Sequence, residues 1–141
     1  MAAIKRCGNR TTELRFRAAL VKAGICGWVV QPKGFIGAPD FYFAAEKLTV
    51  FVDGCFWHGC PKCTHQPKVN SEYWNEKVKR NRNRDKRNAQ KLRVQGLGVI
   101  RFWEHQLTEN LAAVVCAVRA RLRERSMARV AARREKPIPG R

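Results

Sequence analysis

Within twelve residues, Val52-Asp53-Gly54-Cys55-Phe56-Trp57-His58-Gly59-Cys60-Pro61-Lys62-Cys63, the chain places three of its six cysteines, one of its three histidines, a carboxylate and an adjacent aromatic pair. Thiols and imidazoles are the ligands of a tetrahedral transition-metal site, and an imidazole beside a carboxylate suits acid–base chemistry. Ordinary loops are polar and solvated, so this density calls for a chemical purpose. Two more carboxylates stand in suggestive places. Asp40 follows Pro39 at the head of the aromatic run Phe41-Tyr42-Phe43, and Glu13 shares a helical face with Phe16 and Leu20. By spacing alone, Glu13 reads as a first-turn acid favoured by the helix dipole.

Cys55-x4-Cys60-x2-Cys63 offers three soft thiolates and needs a fourth ligand from elsewhere. His105 sits just past a strand end, where a neighbouring strand can bring it under the loop; His65 is nearer in sequence but demands a tight chelate. Three thiolates and an imidazole suit Zn²⁺, and four protein ligands leave no open position, so such a site is structural. The alternative is a set of reduced, buried cysteines without metal. Cys7, Cys26 and Cys116 are scattered and read as small hydrophobes.

These groups need a scaffold. A helix is expected over 12–24, capped by Asn9 or Thr11 and closed by Gly24. Trp28–Gln31 reads as a strand, followed by a loop with Pro32, Gly34 and Gly37. Pro39 holds the chain extended into a strand after Asp40, and Ala45-Glu46-Lys47 turns it into a strand over 48–53. Strands joined so tightly are antiparallel neighbours. Asp40, at the start of one, should then lie near Asp53, at the end of the other. Two carboxylates at one sheet edge can hold a hard divalent cation, although a pair of surface aspartates has the same look in sequence.

A long helix should run from Ser71 or Glu72 to Gln95 and stop at Gly96. Between Glu76 and Arg93 it carries nine Lys/Arg against two acids, and its apolar line of Trp74, Val78, Ala89 and Leu92 is thin. That basic surface is either a solvated face or a track for phosphates, with Lys77, Arg80 and Arg84 as candidate contacts. The last strand, 97–103, leads into Glu104-His105. Thr108 is expected to cap a final helix with an apolar stripe of Leu111, Val114, Val115, Val118 and Leu122. Residues 1–125 read as one domain, and 126–141 as a basic, flexible tail.

Charge sets the class of partner. With 29 Lys+Arg against 11 Asp+Glu the chain carries a net +18, a field that attracts polyanions. A ribosomal-type scaffold, or basic helices without a specific partner, would share that balance. No apolar run reaches the roughly 18 residues of a membrane span, and Met1–Arg6 lacks the apolar segment of a secretory signal, so a soluble intracellular protein is expected.

Together, Pro39-Asp40, Phe51-Val52-Asp53-Gly54-Cys55-Phe56-Trp57-His58-Gly59-Cys60-Pro61, Tyr73-Trp74, Asn81, Arg84-Asp85 and Trp103-Glu104-His105 resemble the very-short-patch repair (Vsr) DNA mismatch endonucleases, in order, from Thr12 to about Leu107. The resemblance implies an α/β fold of the PD-(D/E)XK, restriction-endonuclease-like type: a mixed central sheet flanked by helices, with a structural zinc. It implies a bacterial, cytoplasmic, nucleoid-associated monomer that acts on mismatched double-stranded DNA alongside other repair proteins. The implied activity is Mg²⁺-dependent nicking of one strand beside a T:G mismatch.

By position, the resemblance makes Asp40 the carboxylate on Mg²⁺, the Val52 backbone carbonyl a second ligand, His58 the general base and Glu13 the group ordering metal-bound water. Cys55, Cys60, Cys63 and His105 would hold zinc, and Phe56, Trp57 and Trp74 would wedge into the base stack. The best-known member has histidine where Asp53 stands and a histidine-rich zinc loop where Cys60 and Cys63 stand. Asp53 is therefore either a second carboxylate of the metal site or a sign of altered chemistry. Three functions stay in view: the T:G nicking enzyme, a Vsr-like nuclease with a homing or restriction-associated target, and a zinc-bearing DNA-binding module without hydrolysis.

Overall fold

A computed structural model describes residues 10–55, 60 and 70–135. The elements run α1 (Arg10–Lys22), β1 (Trp28–Val30), β2 (Phe41–Phe43), β3 (Leu48–Asp53), α2 (Ser71–Val94), β4 (Gly98–Trp103), α3 (Glu104–Glu109) and α4 (Leu111–Glu135). Among the described residues the strands form one sheet in the order β1-β2-β3-β4. The first three are antiparallel and β4 is parallel to β3, so the sheet is mixed. A parallel partner needs a crossover, and α2 lies in the segment that supplies it.

Side chains alternate across the sheet and sort the helices into two layers. Leu48, Val50 and Phe102 share one core with Phe41 and Phe43, Phe16 and Leu20 of α1, Leu107 of α3 and Val114, Val115 and Val118 of α4. Phe51 and Val99 face the other way, onto Ala89 and Leu92 of α2. The expected architecture, a mixed sheet flanked by helices, is what the chain adopts.

Helix ends follow their glycines. Gly24 and Gly96 take φ +74° and +85°, the left-handed region that ends helices cheaply only at glycine. Behind them Ile25 N–H donates to Leu20 O and Leu97 N–H to Leu92 O. Two expectations need correction near the C-terminus. Thr108 does not cap the last helix: its hydroxyl donates to His105 O inside α3, and Asn110 Oδ1 accepts from Ala113 N–H at the start of α4. Residues 126–135, expected to fray, continue α4 as helix.

The reason for that continuation is a set of arginine clamps. Arg119 donates to Ala23 O, Arg125 to Glu46 O, Lys47 O and Gly96 O, and Arg129 to Ala45 O. Within the expected tail Arg129 ties α4 to the β2–β3 turn, and just before it Arg125 ties the helix to the same turn and to the α2–β4 junction. Gly98 makes room for this, since a Cβ there would meet Leu48 Cδ1 at 3.0 Å and Arg125 Nε at 3.1 Å.

Candidate functional site

The site is assembled where β2 begins and β3 ends. Asp40 prolongs the sheet by one residue: its N–H donates to Val50 O (2.9 Å) and its carbonyl accepts from Gln31 N–H (2.8 Å). Its Oδ2 accepts from Val52 N–H at 2.7 Å, so the carboxylate takes the place of a ladder carbonyl. Proline at 39 supplies no donor and restrains the preceding Ala38 away from the helical well. Asp40 is thereby fixed against Val52 by backbone geometry.

A small cleft opens beside it, lined by Thr12, Glu13, Asp40, Phe41, Val52, Glu104 and Leu107. α1 delivers Glu13, β2 Asp40 and α3 Glu104, so three carboxylates from distant parts of the chain border one space. Burial pushes the Asp40 carboxyl up from the usual 3.8 to about 6; the Val52 amide and Arg101 oppose this, while Asp53 and Glu13 add to it. A carboxylate with its charge so disfavoured in the protein alone is suited to a cation. The donor set is all oxygen, the type that Mg²⁺ takes. Glu104 was not assigned a role from sequence; its place beside His105 at a strand end was the available signal.

Asp53 behaves differently from Asp40. It lies on the alternate face of β3 and accepts two hydrogen bonds from Arg101, from Nε at 2.8 Å and Nη2 at 3.0 Å. Arg101 Nη2 also reaches Asp85 of α2 at 3.5 Å. The expected nearness of Asp40 and Asp53 holds in that the Asp53 charge is felt at Asp40, but the Asp53 carboxylate is committed to arginine.

Just past the ends of β3 and β4, His105 Nδ1 lies 3.3 Å from Cys55 Sγ and 3.4 Å from Cys60 Sγ. Tetrahedral zinc with ordinary Zn–S and Zn–N bonds sets sulfur and nitrogen roughly 3.6 Å apart, so the three groups already stand near the edges of such a tetrahedron. Of the two histidines left open by spacing, His105 stands at these sulfurs, and His65 lies outside the described residues. Cys63, His58, Phe56 and Trp57 lie outside the described residues.

The basic helix α2 keeps a narrow inner face, with Ala89 and Leu92 buried and Asp85 turned toward Arg101. Arg80 and Arg84 are exposed. Lys77 is half-buried, its Nζ lying 5.6 Å from the Trp74 ring centroid, and Trp74 also meets Tyr73 edge-on at 5.4 Å. No described helix is long and apolar enough to cross a membrane.

Residues 1–65 match the family described as DNA mismatch endonuclease Vsr. The type II nicking enzyme V.NaeI of Lentzea aerocolonigenes is 41% identical over an alignment of 125 residues that covers 82% of this chain and 72% of that enzyme. The type II nicking enzyme V.XorIIP of Xanthomonas oryzae is 38% identical over 84% of this chain and 83% of its own. The DNA mismatch endonuclease Vsr of Escherichia coli is 31% identical, with 74% of each chain covered.

Proposed function

The chain belongs to the Vsr family and is a DNA endonuclease, and we propose that it nicks one strand of duplex DNA beside a T:G mismatch in a Mg²⁺-dependent reaction. A binding module without hydrolysis is set aside, because its relatives are named as nicking enzymes. The observation that carries the reading is the cleft in which Asp40, Glu13 and Glu104 converge on Val52.

Asp40 would hold Mg²⁺ with its carboxylate and Val52 with its backbone carbonyl, a hard-oxygen pair where β2 begins and β3 ends. The ion, when bound, supplies charge neutralisation for the phosphate under attack and a more acidic water. Glu13 would accept hydrogen bonds from water in the cleft and keep it oriented. His58 would take the proton from the attacking water, a role that suits an imidazole. The exposed arginines of α2 would seat the sugar–phosphate backbone without reading sequence.

Phe56, Trp57 and Trp74 would enter the base stack, which costs less at a wobble pair than at a matched one. Zn²⁺ on Cys55, Cys60, Cys63 and His105 would keep the loop that carries the rings and His58 in one place; soft sulfur and imidazole donors fit it. The chain would work as a monomer on its duplex, ahead of the proteins that repair the nicked strand.

Because several relatives are named type II nicking enzymes, a second reading keeps the chemistry but attaches it to a restriction-associated target. Labelled T:G and C:G duplexes of one sequence, each incubated with Mg²⁺ or EDTA, separate the two. Nicking of the T:G duplex alone, in Mg²⁺ alone, is the expected result. Equal nicking of both favours the second reading, and nicking in EDTA removes the metal from either.

A further inference from the structure

The Arg101 guanidinium joins three elements at the end of the sheet where the cleft lies. It starts on β4, paired with Phe51 in the parallel register, and its centre sits 4.2 Å from the Phe51 ring centroid. Two of its nitrogens hold Asp53, the last residue of β3, and one of them also approaches Asp85 on α2. All three side chains are largely withdrawn from water, with relative exposures of 24%, 11% and 17%. Its remaining nitrogen, Nη1, is buried without a partner among the described residues.

Such an arrangement is a poor way to gain stability. Desolvating a guanidinium and two carboxylates costs about what their attraction returns, and apolar residues of similar volume do as well or better. Its advantage is geometric, because a two-point fork fixes the carboxylate in plane and direction. The residue so fixed is joined by one peptide bond to Val52, whose N–H is held by Asp40.

We propose that Arg101 is a positioning residue for the nicking reaction: through Asp53 it fixes the Val52 end of β3, and through Asp85 it sets that end against the basic helix α2. Seating α2 on a DNA backbone and aligning the cleft then become one event. On this account Asp53 serves as the anchor of a fork and makes no contact with the cation. The inference rests on reading Asp40 and Val52 as the reaction site.

The test is the double variant Asp53→Asn/Arg101→Gln, which removes both charges of the fork and leaves the Asp85 carboxylate in place. The expected result is a fall in kcat of about tenfold or more with KM for duplex DNA within about threefold of wild type, since misplacement penalises the transition state and not ground-state binding. Amide exchange at Val52 and Asp53 should quicken in the same variant without DNA or metal, while exchange in β2 stays unchanged. Wild-type kcat in the folded double variant, or a loss lying wholly in KM, would overturn the proposal.

If the double variant does not fold, Arg101→Lys keeps the charge but loses the fork, and wild-type kcat there is equally fatal. Asp40→Asn is assayed in parallel. Full nicking by that variant removes the reaction-site reading and this proposal with it. An inactive Asp40→Asn beside a fully active double variant removes this proposal alone.

Discussion

Asp40 Oδ2 accepts the Val52 amide hydrogen at 2.7 Å, so the one carboxylate is oriented by the strand whose carbonyl lies beside it. The bond opposes but does not cancel the effect of burial, and the Asp40 carboxyl titrates near 6. A group whose pKa is raised on folding contributes stability below its unfolded value and loses it as pH rises through the folded one. The metal-free protein should therefore lose roughly 3 kcal/mol on account of Asp40 between about pH 4 and about pH 6. Asp40→Asn, which still accepts from Val52, should not show that loss. Denaturation of both proteins across this range in EDTA is the check, and parallel pH curves would exclude Asp40 as the source.

Nicking should show the same group from the other side. Only the ionised carboxylate binds a cation, so raising Mg²⁺ should move the acid limb of the rate profile to lower pH. Asp40→Asn should reduce nicking by about a hundredfold or more while duplex binding persists. Gel shift and nicking assays on the same preparation measure both.

The thiolate–imidazole cluster leads to a third expectation. Cys60 is fully buried and its sulfur faces His105 Nδ1, so Cys60→Ser should lower zinc content and thermal stability together. Chelation of the wild-type protein should mimic it. Metal analysis of the purified variant is decisive: zinc retained at the wild-type level would remove Cys60 from the ligand set.

Gly98 tests the clamp at the opposite end of the sheet. Its φ is ordinary, so an alanine there is disfavoured by contact and not by backbone strain. The new Cβ would press on Arg125 Nε and Cδ and on Leu48 Cδ1, at 3.0–3.2 Å. Gly98→Ala should cost about 1–3 kcal/mol. In an Arg125→Ala background the cost should shrink, because one of the two obstacles is gone. Urea denaturation of the four proteins in the cycle measures the coupling.

Much of this was legible from local pattern. The strands over 41–43 and 48–53 follow from their aromatic and β-branched residues, and the helix stops at Gly24 and Gly96 follow from the need for positive φ. Thr108 misled because a hydroxyl before an apolar stripe is a good cap signal, while Asn110, two residues later, is a better one. The Arg101–Asp53 pair was beyond reach for another reason. The two residues are 48 positions apart and meet only through the parallel register of β3 and β4, which no local spacing encodes. The approach of His105 to Cys55 and Cys60 had the same dependence, and there the family resemblance named the histidine that spacing left open. Glu104 reaches the cleft because α3 starts directly after the last strand residue, Trp103, a detail of chain direction that composition cannot express.

The basic face of α2 gives the last expectation. Arg80 and Arg84 are exposed, and Glu76 lies 3.7 Å from Arg80 with both side chains mostly in water. Such a pair is weak, so both arginines remain available to phosphate. Each phosphate contact releases condensed counterions and adds about 0.9 to the slope of log affinity against log salt. Arg80→Ala/Arg84→Ala should therefore flatten that slope by about 2 and weaken T:G and C:G duplexes equally, since backbone contacts carry no sequence information. Asp85→Asn, one position beyond Arg84 but turned inward to Arg101, should leave the slope unchanged. Salt titrations of duplex binding in EDTA test both statements, and a slope unaltered by the double substitution would assign the track to another surface.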